Sequence, residues 1–307
     1  MRPLVLSSIL LSAAFLVGCG ADNIQAPSPS ARTSLLERGT GGSETAFDFT
    51  AIDVPNALFT SATGINPRGD IVGTYVDGSK RSHGYVLRDG IFTTIDFPDA
   101  AGTEARGIGP SGEIVGDYWF AGEPAENFHG YLLTKEGEFV AVNYPGHTNT
   151  ILQRILPDGT MLGCRHDGDF MDTMKGVTIS RQGYAEIGQL ASMNNGATPD
   201  HRRIVGLYIN TAGSQQGFLI DDGVFTPLFV GNIPTTAAWD MNPAGEIVGV
   251  YRSTDAKFHG FVLRDDGYTS IDFPGASATR AYGINPRGDV VGTYVAGKVT
   301  HGFLATR

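Results

Sequence analysis

Seven side chains in this chain have types suited to chemistry at one place. Glu104, Arg106, Gln153, Asn194, Trp239, Arg280 and Tyr282 combine carboxylate, guanidinium, amide and aromatic faces. Such a set suits a polar ligand such as a sugar, because a ring stacks on an aromatic face while donors and acceptors fix its hydroxyls. The same residues could instead do no more than plug a channel with salt bridges. A second cluster is Arg165-His-Asp-Gly-Asp-Phe-Met-Asp172, where His166, Asp167, Asp169 and Asp172 bring imidazole and carboxylates into one stretch. Its spacing matches neither the calcium loop of an EF-hand nor a zinc signature. It reads as a solvated acidic loop, and no metal is assigned to it.

Other candidates resolve into architecture. Gly107-Ile-Gly-Pro-Ser-Gly112 matches the spacing of a dinucleotide loop, but a strand rather than a helix should follow it. His83, His129, His259 and His301 recur at one position before Gly-Tyr or Gly-Phe, so they read as structural residues whose ring nitrogens bond backbone or Asp. Cys164 would need a nearby base to become a nucleophile, and it reads as a partly buried thiol. There is no H-E-x-x-H, Walker loop, G-x-S-x-G or C-x-x-C. No cofactor and no catalytic residue is assigned, and enzyme activity stays open, with the balance against it.

These residues are positioned by a repeat. Gly64-Ile-Asn-Pro-Arg-Gly-Asp-Ile-Val-Gly-Thr-Tyr75 returns as Gly283-Ile-Asn-Pro-Arg-Gly-Asp-Val-Val-Gly-Thr-Tyr294, with fainter copies between. The glycine after the paired aliphatics falls at Gly73, Gly116, Gly163, Gly206, Gly249 and Gly292, in steps of 43, 47, 43, 43 and 43 residues. A fixed period of this size marks one supersecondary unit per copy. The second copy reads as four short strands, Thr103–Gly109, Glu113–Trp119, His129–Thr134 and Glu138–Tyr144, separated by Gly/Pro turns. Six such units predict an all-β protein, a six-bladed β-propeller of four-stranded antiparallel blades. The last copy stops at its third strand, while Phe47–Pro55 matches the missing fourth. The N-terminal segment should therefore complete the C-terminal blade and leave no open sheet edge. The first strand of each blade is then innermost, which puts the seven residues at the channel mouth. The loops between second and third strands, and between blades, vary in length and share a face, where function usually resides.

The Gly-Ile-Asn…Ile-Val-Gly-Tyr phrase followed by His-Gly-Phe/Tyr resembles the HAF repeats of bacterial exported proteins, over about residues 47 to 307. The resemblance implies an extracellular repeat protein and little about activity.

The chain begins with Arg2 and an apolar run from Leu4 to Val17, so residues 1–18 read as an export signal. Leu16-Val-Gly-Cys19 resembles the lipobox of bacterial lipoproteins, which implies cleavage before Cys19 and lipidation of that residue. Gly20 follows where an Asp would favour inner-membrane retention in enteric-type bacteria, so in a cell with an outer membrane the outer membrane or cell surface is the expected address. Residues 19–45 then form a Ser/Pro/Gly-rich flexible tether, and 46–307 form the propeller. The formal net charge is −10, and removing the leader takes one arginine more. That balance disfavours nucleic acid as a partner. The expected function is an envelope-anchored binding or scaffold module, with a glycan or a protein as ligand and the membrane reached through the lipid. The alternative is a carbohydrate hydrolase or lyase with Glu104 or the Asp167–Asp169 stretch supplying carboxylates.

Overall fold

The computed structural model describes residues 47–124, 127–168, 173–231, 233, 236–264 and 267–307. The expected leader, Cys19 and the tether lie outside the described residues, as do Asp169 and Asp172. No described helix is long and apolar enough to cross a membrane.

All named elements are strands. Asp48–Ile52 is β1. Blade one is β2 (Phe59–Ile65), β3 (Ile71–Val76), β4 (Ser82–Arg88) and β5 (Ile91–Ile95); blade two is β6 (Gly102–Ile108), β7 (Ile114–Trp119), β8 (His129–Leu133) and β9 (Phe139–Ala141). Blade three is β10 (Asn149–Ile155), β11 (Met161–His166), β12 (Lys175–Ser180) and β13 (Gly183–Leu190); blade four is β14 (Ser192–Ala197), β15 (Arg203–Ile209), β16 (Gln215–Asp221) and β17 (Val224–Leu228). Blade five is β18 (Thr236–Met241), β19 (Ile247–Arg252), β20 (Phe258–Arg264) and β21 (Gly267–Ile271); blade six is β22 (Ala278–Ile284), β23 (Val290–Ala296) and β24 (Val299–Thr306), with β1 as its fourth strand. The six first strands contact one another around the axis. The protein is a six-bladed β-propeller.

The closure follows the expected register. Strand β1 pairs antiparallel with β24, from Asp48 opposite Thr306 to Ile52 opposite Gly302. Phe49 sets its ring against Phe273 at 5.4 Å and Phe303 at 5.8 Å, so the borrowed strand also joins the core of its blade. The fourth strand of blade two is shorter than its sequence suggests, Phe139–Ala141. Beyond it, the Tyr144 N–H turns to Thr150 Oγ1 of the next blade at 2.8 Å.

Each blade repeats the same joinery. The hydrophobic core lies between blades: Val72, Val86 and Ile95 of blade one pack on Ala105, Ile114 and Tyr131 of blade two. The register glycines have no room for a side chain. A Cβ on Gly73 would lie 1.8 Å from the Ser61 carbonyl oxygen, and its five counterparts meet the same obstacle at 1.9–2.1 Å. The recurring histidines bond acids, as expected: His83 Nδ1 to Asp96 at 2.8 Å, His259 Nδ1 to Asp272 at 2.7 Å and His301 Nδ1 to Asp53 at 2.7 Å. In blade two, His129 Nε2 reaches Glu123 instead. The turns after the first strands are held by side-chain amides; Asn66 Oδ1 accepts the N–H groups of Arg68 and Asp70, both at 3.0 Å. Arg287 donates to the Pro67 carbonyl and Arg68 to the Pro110 carbonyl, each at 2.6 Å, which ties blade six to one and one to two.

Candidate functional site

The site is made by a bulge that occurs six times. In every first strand the pairing skips one residue: Thr63, Arg106, Gln153, Asn195, Trp239 and Tyr282 have no partner opposite them. A bulge inserts an unpaired residue, bends the strand and re-aims a side chain. Five of these six, all but Asn195, together with the residue two before the bulge in blades one, two and six, line one cavity of about 130 Å³. Glu104, Arg106, Gln153, Trp239, Arg280 and Tyr282 all border it. Phe59, Val76, Ser82 and Thr300 extend its wall toward the face that carries the long connections.

Asn194 does not reach the cavity, contrary to the sequence reading. It pairs with Gly206 in the crowded position and is fully buried. Its amide points to blade three, where it donates to the Val177 carbonyl at 3.4 Å. The turn Thr198-Pro-Asp-His-Arg-Arg-Ile204 holds one residue more than its sisters, so counting back from Gly206 misplaces the strand by one. His201 takes the left-handed conformation that glycine supplies elsewhere, with φ 62°. The true counterpart of Glu104 and Arg280 in blade four is Met193.

The residue after each bulge decides what happens on the axis. It is glycine in four blades, Gly64, Gly107, Gly196 and Gly283, but Arg154 in blade three and Asp240 in blade five. The glycines leave space that these two side chains fill. Arg154 Nη1 donates to the carbonyls of Arg106 at 2.9 Å and Gln153 at 2.7 Å; Nη2 donates to those of Thr63 at 3.0 Å and Tyr282 at 2.5 Å. Its Nε lies 3.0 Å from Asp240 Oδ2. Asp240 in turn accepts the N–H groups of Met241 and Ile284. A buried ion pair is tolerated when further hydrogen bonds support it; here Arg154 donates four through Nη1 and Nη2 and Asp240 accepts two. Arg154 borders the 130 Å³ chamber on one side and a 220 Å³ funnel on the other. The funnel is ringed by six prolines, Pro67, Pro110, Pro157, Pro199, Pro243 and Pro286, one from each turn. The axis is therefore partitioned, and the chamber is a blind pocket. The readable signal was opposite charges at equivalent positions two blades apart, where the sister copies keep glycine.

The chamber is polar on the side of blades six, one and two. The opposite half of the ring is filled by an apolar cluster of Ile151, Met174, Met193, Leu207 and Ala237, against which Trp239 and Phe258 pack. Trp239 also meets Tyr282 edge to face at 5.1 Å, and its indole nitrogen has no hydrogen-bond partner among the described residues. In blade two, Arg106 bridges two acids. Its Nε bonds Asp117, and its Nη2 bonds Glu104 at 2.6 Å. Burial, helped by the Asp117 carboxylate and opposed by Arg106, raises Glu104 to about 7. Burial raises Asp117 as well, against the pull of Arg106. One guanidinium does not neutralise two buried carboxylates, so the pair retains a proton near neutral pH.

Cys164 is fully buried behind this cluster, and burial pushes its thiol up to about 12, which leaves it inert. In the acidic stretch, His166 is buried and its imidazole is pulled down to about 4 by that burial. Asp167 is engaged with His147 at 2.8 Å and the Thr148 N–H at 2.9 Å, and these bonds hold its carboxyl below the usual range.

No protein family matches the chain, and no curated protein matches it in sequence. Solved structures do. The chain is similar to the SapL1 lectin in complex with alpha methyl fucoside, at 10% identity and TM-score 0.57 over 82% of this chain and 94% of that one. It is similar to a gluconolactonase from Xanthomonas campestris, at 12% identity and TM-score 0.52 over 81% and 87%. It is also similar to TolB from Acinetobacter baumannii, at 15% identity and TM-score 0.53 over 69% of this chain, which spans 54% of that one. At these identities the likeness shows a propeller and leaves the site to be argued from its own residues.

Proposed function

We propose that this protein is an exported lipoprotein, of the HAF-repeat kind, whose propeller binds a small polar ligand, a sugar, in the blind chamber beneath the long loops. The observation that carries this reading is the convergence of Glu104, Arg106, Gln153, Trp239, Arg280 and Tyr282 on one enclosed cavity, floored by Arg154. An aromatic corner faces hydroxyls and fixed charges, which is what a sugar ring needs on its two kinds of surface. Lipid on Cys19 and the tether of residues 19–45 would hold the ring at the cell envelope while letting it reach partners. The architecture alone does not choose a ligand, since similar rings occur in a lectin and in a gluconolactonase.

The test is a glycan array followed by calorimetry on the full-length protein. We expect binding of a monosaccharide or chain end, weakened at least about tenfold by Trp239→Ala, the loss expected when one stacking face worth about 1.5 kcal/mol is removed. An array with no bound glycan, or a Trp239→Ala variant that binds as tightly as the parent, would overturn the reading. One observation favours a second reading, a carbohydrate hydrolase or lyase: the proton retained on the Glu104–Asp117 pair is what a general acid requires near neutral pH. Under that reading the bound glycan is turned over, and Glu104→Gln binds it without turnover.

A further inference from the structure

We infer that the chamber selects an acidic sugar, with the ligand carboxylate seated on Arg280. The inference rests on the sugar reading and narrows it to one class. Three guanidiniums border the chamber, and two are already committed. Arg106 bonds Glu104 and Asp117, and Arg154 bonds four carbonyls and pairs with Asp240. Arg280 has neither an acid nor a carbonyl partner among the described residues. What holds it is the ring of Phe258, with Cζ 4.3 Å from the centroid. A cation–π seat fixes the plane of a guanidinium through its face and consumes none of its N–H donors. The donor edge stays available to a carboxylate in the paired two-bond geometry that arginine favours.

The surroundings fit the rest of such a molecule. Thr293 lies opposite Arg280 in the strand pairing, and Thr74 lies opposite Ser61, so hydroxyls flank the cationic seat. Trp239 and Tyr282 supply the flat apolar wall. Size sets the unit: a chamber of about 130 Å³ suits a single small ring rather than an oligosaccharide. A free carboxylate on a simple small acid would satisfy Arg280 but leave the aromatic wall and the hydroxyls unused.

The experiment titrates the full-length protein with methyl glucuronide and methyl galacturonide, with their neutral parents methyl glucoside and methyl galactoside, and with acetate. One of the two acids should bind at least about tenfold tighter than its neutral parent, since a charge-assisted bond contributes about 1.5–3 kcal/mol. Arg280→Gln should abolish that preference, so that the variant binds the acid no tighter than it binds the neutral sugar. Arg280→Lys should retain part of the preference, which separates lost charge from lost folding. Neutral sugars binding as tightly as the acids, with Arg280→Gln affecting neither, would sink the acidic class and leave the sugar reading standing. Acetate binding as tightly as the uronides would sink the requirement for a ring. No binding of any of these ligands, beside a neutral or amino sugar captured on the array, would sink the inference alone. An empty array as well would sink both readings.

Discussion

At the scale of single residues, the acid pair in blade two is where environment changes chemistry most. An exposed glutamate would be ionised at neutral pH; Glu104 retains only 15% of its side-chain surface and sits beside a second acid, so its proton is held to about 7. The folded state therefore binds more protons than the unfolded chain between about pH 4.5 and 7. Stability from this group is fully present below that window and is lost as the pH rises through it. Replacing Glu104 by Gln should flatten the decline of melting temperature between pH 4.5 and 7, without abolishing it, because Asp117 and Asp240 are raised in the same direction. An unchanged slope in the variant would show that Glu104 is ionised throughout. This pair was half legible: Glu104 and Arg106 stand out as charges on an inner strand, but Asp117 belongs to a strand that reads as an ordinary Val-Gly-Asp-Tyr run. Only pairing Glu104 directly with Asp117 brings them together.

At the scale of elements, the bulge links the glycine pattern to the site. Skipping one residue carries the carbonyl of the first strand over the glycine of the second, which explains why Gly73 faces the Ser61 oxygen at a distance no Cβ tolerates. Gly73→Ala should cost about 3 kcal/mol, the upper end of the range for over-packing, because backbone rather than a flexible side chain must yield. Gly78→Ala, where a Cβ would meet nothing within 4 Å, is the control and should be neutral. Denaturant unfolding of the two variants decides it, and equal stability would mean that the bulge can relax. The repeat made these glycines visible in sequence. It did not reveal the bulge, since an unpaired residue in one strand leaves no mark on the spacing of apolar positions. The blade-four register is hidden for a different reason: its turn holds one residue more than the others, so counting back from Gly206 puts Asn194 where Met193 belongs.

At the scale of the whole ring, modularity and closure were both legible. Six marks at near-constant spacing give six blades, and two complementary half-copies give the pairing of β1 with β24. What a repeat hides is whatever breaks its symmetry, because a consensus treats exceptions as noise. Arg154 and Asp240 are such exceptions, and together with four bulge carbonyls they join blades one, two, three, five and six at the axis. In inorganic terms, the guanidinium occupies the centre of an oxygen cage. Four carbonyls and one carboxylate are the donor set of a hard divalent ion, which takes six to eight oxygens. Replacing Arg154 with the glycine that most sister blades carry should empty that cage and cost about 3–5 kcal/mol, since Asp240 is left buried without a counter-charge. Millimolar Ca²⁺ should then restore much of the lost melting temperature in Arg154→Gly and do nothing comparable for the parent, by the mass action of an ion that binds only the folded ring. Equal calcium responses in the two proteins would mean that the carbonyls are held in place by the arginine itself. On this view the propeller carries its own counter-ion as a covalent part of the chain, and its hub needs no ion from the surrounding medium.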